Sequence, residues 1–220
     1  MKCSVCTAEI SENYCSKCGQ YFKNERISTK SILTDLFESI FSLEKSFFKN
    51  IKIGLFKPNI LVSNYWRGFR SYYYSPSKFL VLASLFFLAQ ITLFNDFFGL
   101  IVGSKVAQQF TLLIVIIVVL SFFSFVIYLK YKRSFYEHLI LNIYNVSVWS
   151  IIFVPISIIS NLLNTSKNIE TGFIFLYLLL IIIWNSKIFE ITKLKRYIYI
   201  ALNCILLVIV PFLFYKIFGT

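Results

Sequence analysis

Long apolar stretches constrain this chain more than any other feature. Five of them, at residues 79–98, 110–129, 139–163, 173–189 and 197–218, keep acidic and basic residues out of their centres. A helix that crosses a bilayer needs about 20 mostly apolar residues, because every backbone N–H and C=O must be satisfied within the segment. Composition agrees: 58% of the residues are hydrophobic and 15% charged, at a mean hydropathy of +0.73. A soluble domain usually holds about half apolar and a quarter charged residues. The expected fold is therefore an all-α integral membrane protein of about five transmembrane helices, preceded by a small four-cysteine zinc knuckle and an amphipathic juxtamembrane helix. Its expected parts are residues 1–26, 27–78 and 79–220.

The basic residues give these spans a direction. All of the 22 Lys and Arg except Lys105, Lys167 and Lys216 fall in the N-terminal 78 residues or in the second-to-third and fourth-to-fifth connections. By the positive-inside rule the N-terminus is expected in the cytoplasm and the C-terminus on the opposite side. The net charge of +12 then faces anionic lipid headgroups, which takes away its value as a sign of nucleic-acid binding. Residues 1–24 are polar and cysteine-rich, without the apolar core of a cleavable signal, so insertion is expected from internal segments.

Cys3-Ser-Val-Cys6 and Cys15-Ser-Lys-Cys18 form a C-x-x-C, eight-residue spacer, C-x-x-C array. Each C-x-x-C turn aims two thiolates at one point, so two turns supply the four tetrahedral ligands of a closed, structural zinc site. Two disulfides and a four-thiolate iron site are the alternatives; reduced cytosol disfavours the first, and thiolates accept either metal. Gly19 follows the last ligand where positive φ is expected. Tyr14 and Tyr21 are expected to pack over the site, and Cys204 reads as a small apolar filler.

Residues 28–56 have helical apolar spacing through Ile32, Leu36, Ile40, Leu43 and Phe47, with lysines on the later turns. Such a helix lies in the headgroup plane or packs under the bundle. Pro58 breaks it. Beyond lies Tyr65-Trp66-Arg67-Gly68-Phe69-Arg70, then Tyr72-Tyr73-Tyr74-Ser75-Pro76. An interfacial aromatic belt explains most of this segment; Arg67, Arg70 and Tyr73 are also candidates for contact with an anion or lipid headgroup. The residues Cys15, Cys18, Gly19, Gln20, Pro58, Tyr65, Gly68, Arg70, Tyr73 and Pro76, in this order before hydrophobic spans, resemble a bacterial membrane family known as a domain of unknown function with a zinc-ribbon-like knuckle. The resemblance covers about the first ninety residues. It implies the architecture and the bacterial inner membrane, and transfers no catalytic residue.

In the third stretch His138, Asn142, Asn145 and Trp149 share one helical face. This face either lines a polar cavity or makes interhelical hydrogen bonds, the second being favoured. Pro155 is expected to kink this span. No nucleophile elbow, phosphate loop or paired-carboxylate motif is present, so an enzyme is not expected. The leading expectation is a membrane adaptor whose zinc knuckle and amphipathic helix contact a cytoplasmic protein or lipid headgroups. A small transporter using the polar face of the third stretch is the alternative, and a lipid-directed enzyme a third.

Overall fold

A computed structural model describes residues 2–10, 13–22, 47–70, 73–94, 96–97, 100–101, 106–163 and 167–218. The expected amphipathic helix falls partly outside these: residues 23–46 lie beyond the described set. Within it the helices are α1 (Phe47–Phe56), α2 (Pro58–Trp66), α3 (Pro76–Leu93), α4 (Val106–Ile127), α5 (Phe135–Leu162), α6 (Lys167–Ile188) and α7 (Lys193–Phe218). A two-residue antiparallel pair, β1 (Asp96–Phe97) with β2 (Leu100–Ile101), lies between α3 and α4.

Local chemistry sets the helix starts. Pro58 and Pro76 occupy the first turns of α2 and α3, where a missing N–H costs nothing. The Ser75 hydroxyl caps α3 by accepting from the Lys78 amide at 3.3 Å. A capping box starts α5: Ser134 Oγ accepts from the Glu137 amide at 3.3 Å, and Glu137 Oε2 accepts from the Ser134 amide at 2.7 Å. Pro155 lies inside α5 without ending it.

Helix α5 is the centre of the fold, packing against each of α1, α2, α3, α4 and α6, while α7 packs on α4 and α6. Polar residues are concentrated inside. Gln90, Ser121, Ser124, Asn142, Asn145, Ser150, Ser157 and Asn185 are all buried, whereas Leu85, Val118, Phe122, Phe175, Leu202 and Val208 are exposed. Hydrogen bonds across helices pair polar groups of the interior: Gln90 Nε2 donates to Ser157 Oγ at 3.2 Å, and Ser150 Oγ lies 2.9 Å from the Tyr177 hydroxyl.

The expectation of about five transmembrane helices is corrected by these helices. Among the described residues one helix, α5, is long and apolar enough to cross a membrane. The other apolar helical stretches are Pro76–Gln90, Leu113–Ile127 and Gly172–Ile188, each of 10–17 residues. At 1.5 Å per residue these reach about 15–26 Å, short of a hydrocarbon core of about 30 Å. The remaining segment enters its helix through Lys193, Lys195 and Arg196. A hydropathy window counts apolar residues without registering where the apolar part of a helix stops, and α5 itself is mostly buried by its neighbours.

The described part of the juxtamembrane region packs on the bundle. Trp184 Nε1 donates to the Leu55 carbonyl at 2.6 Å, and Asn50 Oδ1 accepts from the Tyr74 amide at 3.0 Å. Gly54 permits the approach: a Cβ there would stand 2.8 Å from Val148 Cγ2. Val148 is stiff at χ1 on a helix and has little room to yield. Overpacking of this kind costs about 1–3 kcal/mol, more than the ~1 kcal/mol helix-propensity gain of alanine over glycine. Gly54→Ala should therefore lower the thermal unfolding midpoint, and adding Val148→Ala should recover most of the loss. An unchanged midpoint in Gly54→Ala would contradict this packing.

Candidate metal centre

The N-terminal module is built from one turn used twice. In the first copy the Thr7 amide donates to the Cys3 carbonyl at 3.1 Å and the Cys3 amide to the Ala8 carbonyl at 2.8 Å. In the second, Gly19 donates to Cys15 at 2.8 Å and Cys15 to Gln20 at 2.9 Å. Each copy is closed by an antiparallel bridge, Lys2 with Glu9 and Tyr14 with Tyr21. The copies correspond residue by residue, so Thr7 stands where the second turn has Gly19. Both are left-handed, at φ 60° and φ 69°. Glycine takes that conformation freely and a β-branched threonine does not; the Thr7 hydroxyl donates to the Cys6 carbonyl at 2.7 Å.

The turns bring Cys3, Cys6, Cys15 and Cys18 together with all four Sγ atoms within 4.8 Å of one another. Two separations cross between the turns, 3.5 Å for Cys3 with Cys18 and 3.4 Å for Cys6 with Cys15. A disulfide needs about 2.05 Å, and all four cysteines are free. A tetrahedron with metal–sulfur bonds of about 2.3 Å has edges of about 3.8 Å, inside the observed range. The cluster can hold a metal ion. Backbone amides of Cys18 and Lys17 aimed at the Cys15 sulfur lower its thiol to about 6, while burial pushes the Cys18 thiol up to about 12.

The module does not complete its own core. Cys3, Ile10 and Cys15 are buried together with Phe69, which comes from beyond α2. Phe22 bridges Phe69 as an antiparallel strand partner, their rings 5.4 Å apart, and the Arg70 amide donates to the Tyr21 carbonyl at 3.2 Å. Phe69 is presented by a helix C-terminus. The Gly68 amide donates to the Tyr65 carbonyl at 3.1 Å and the Phe69 amide to the Asn64 carbonyl at 2.9 Å, with Gly68 at φ 92°. This is a Schellman stop, in which glycine takes the left-handed position and the next residue makes the hydrophobic contact. Tyr14 and Tyr21 pack on one another, with ring centroids 4.8 Å apart.

The other candidate residues have structural neighbours. Arg67 Nε donates to the Ser63 carbonyl at 3.2 Å and its Nη2 to Asn64 Oδ1 at 2.8 Å, both on α2. Arg70 stacks over the Tyr65 ring at 5.1 Å. Tyr73 is half-buried against the main core. On α5, Asn142 Nδ2 donates to the His138 carbonyl at 2.9 Å and Asn142 Oδ1 accepts from Asn185 at 2.8 Å. Asn185 Oδ1 accepts from Asn145 Nδ2 at 2.6 Å. His138 Nδ1 lies 2.8 Å from Ser124 Oγ, and Trp149 meets Trp184 edge to face at 5.3 Å.

Sequence reasoning missed three contributors. Phe69 read as one interfacial aromatic among many, and its signal is the Gly68 that precedes it. Asn185 lies within the apolar stretch 173–189, and nothing in the sequence names its partners on α5. Glu170, set outside every span, is buried in the first turn of α6 and accepts from Ser160 Oγ at 3.1 Å.

No family model, curated protein or solved structure matches this chain.

Metal binding must displace the proton from the Cys18 thiol at every pH below its raised pKa, and below about pH 6 a further proton from Cys15. The apparent affinity should thus rise at least tenfold per pH unit between pH 6 and 8 and more steeply below pH 6. Competition titration against a chromophoric chelator measures this; a pH-independent affinity would contradict a thiolate site.

Proposed function

We propose that the chain is a non-enzymatic scaffold of the bacterial inner membrane, with a zinc-bound knuckle clamped on the cytoplasmic end of its helical body. One observation carries this reading: Phe69 lies in the core of the cysteine module while its flanking backbone ends α2. A four-thiolate site has no open coordination position, which favours a structural zinc over a catalytic one. A metal there would fix the module against the body.

A membrane setting is supported by the distribution of side chains. Many polar residues, Asn142, Asn145 and Asn185 among them, are buried and hydrogen-bonded while large apolar ones are exposed on α3, α4, α6 and α7, the reverse of what water selects. Helix α5 supplies the segment long enough to cross. The cytoplasmic assignment of the knuckle follows the positive-inside rule, because the basic connections gather at the end where the module docks. Arg133 stacks at 4.6 Å over Trp66, which precedes the Schellman glycine, and Trp66 Nε1 donates to the Glu137 carbonyl at 3.1 Å.

In this reading the outer side of the module, with Tyr14, Ser16 and Lys17 exposed, is the surface offered to a cytoplasmic protein partner. The pairing of Asn142 and Asn145 with Asn185 supports a packing role for the polar face over a conduit.

Elemental analysis of the purified chain should find one zinc per chain. The Cys15→Ser/Cys18→Ser variant should lose the zinc and any cytoplasmic partner that co-purifies with the native chain, yet remain in the carbonate-washed membrane fraction. A metal-free native chain, or a variant that keeps its partner, would sink this reading.

A further inference from the structure

A second polar constellation lies where the end of α4, the Leu129–Tyr131 turn, the start of α5 and the start of α7 meet. The Tyr128 ring stacks on Phe189 at 4.2 Å and meets Tyr199 edge-on at 5.3 Å. His138 stacks on the same Phe189 at 5.7 Å and runs nearly parallel to Tyr128, 15° apart at 6.5 Å. Tyr128 and His138 are both fully buried. Three polar atoms of this cluster have no hydrogen-bond partner among the described residues: the Tyr128 hydroxyl, His138 Nε2 and Arg196 Nε.

Buried polar atoms are rarely left unpaired, and those that are call for a ligand or an ordered water. Each of the three can present a hydrogen to an acceptor. Arg Nε–H and tyrosine O–H are donors, and in the tautomer whose Nδ1, 2.8 Å from Ser124 Oγ, accepts from that hydroxyl, His138 carries its proton on Nε2. We propose that Tyr128, His138 and Arg196 form a binding site for a phosphate-class anion.

Charge and competition favour an anion over a neutral ligand. Lys130, Lys132, Lys193 and Lys195 are exposed on the adjoining segments and raise the local positive potential. The nearby carboxylate of Glu137 is taken by Arg133 at 2.9 Å and by the Ser134 amide. Arg196 stands one helical turn before Tyr199, whose ring meets Tyr128 at 5.3 Å; burial, then the neighbouring Tyr131 and Tyr199, push the Tyr128 phenol upward, and Arg196 opposes them. Guanidinium and hydroxyl donors in an aromatic, water-poor setting suit a phosphate oxygen. The phosphate has two possible sources, a phospholipid headgroup or free inorganic phosphate. The first rests on the membrane reading above and the second does not.

The test uses the full chain in an uncharged detergent and follows its thermal midpoint. The probes are inorganic phosphate, phosphatidylglycerol, and diacylglycerol as a phosphate-free lipid. Tyr128→Phe keeps the stacked ring and removes a hydroxyl that has no partner among the described residues, so it should fold; Arg196→Gln removes the charge, and Lys193→Gln is the control. The expected result is a rise of several degrees with at least one phosphate-bearing probe. The apparent affinity should fall at least tenfold in Tyr128→Phe and Arg196→Gln and stay within twofold in Lys193→Gln. A response to inorganic phosphate identifies free phosphate as sufficient, and a response to phosphatidylglycerol alone identifies the headgroup. No shift with either, an equal shift with diacylglycerol, or an undiminished shift in Tyr128→Phe and Arg196→Gln would overturn the proposal.

Discussion

The insertion of Phe69 into the cysteine module is the contact on which the described architecture turns. A module of residues 2–22 is too short to bury a core that would hold it folded. Cys3, Ile10 and Cys15 make the start of one, and Phe69 completes it from outside. The completion follows from local backbone chemistry. Gly68 takes the left-handed position at the end of α2, the amides of Gly68 and Phe69 satisfy the last carbonyls, and the chain then runs beside Phe22. Metal ligation, helix termination and docking of the module are thereby joined within a few residues.

The helical body follows a second constraint, the pairing of polar groups carried by its central helix. Asn142, Asn145, Ser150, Ser157 and Ser160 on α5 find partners on α3 and α6 or on α5 itself. Each such bond is worth about 1 kcal/mol or less, but leaving a member unpaired in the interior costs more. The pattern fixes which face of α5 meets which neighbour. Gly54 adds a steric condition by letting α1 approach α5 more closely than any side chain would allow.

Features governed by neighbours in sequence were legible before the structure. The four-cysteine set, the positive φ of Gly19, the break at Pro58 and the helical character of the body all depend on residues a few positions apart. Thr7 escaped notice because its left-handed conformation follows from its equivalence to Gly19, not from its own chemistry. The partnership of Asn142 and Asn145 with Asn185 depends on which helices adjoin, and the position of Phe69 on a docking that only the folded chain defines. The number of spanning helices was overstated for a related reason: hydropathy ranks segments by composition, whereas α5 alone among the described helices joins sufficient length to sufficient apolarity. The resemblance carried by the first ninety residues added an order of motifs, not a contact.

Amide hydrogen exchange at Phe22 and Arg70 tests the central claim most directly, because the Phe22 amide donates to Asn13 within the module and the Arg70 amide donates from the body to Tyr21 of the module. In the metal-loaded chain both should exchange slowly. Removing the metal should speed exchange at both by at least tenfold while the amides of α5 keep their protection. Unchanged protection at Phe22 and Arg70 in a chain shown to have lost its metal would contradict the account.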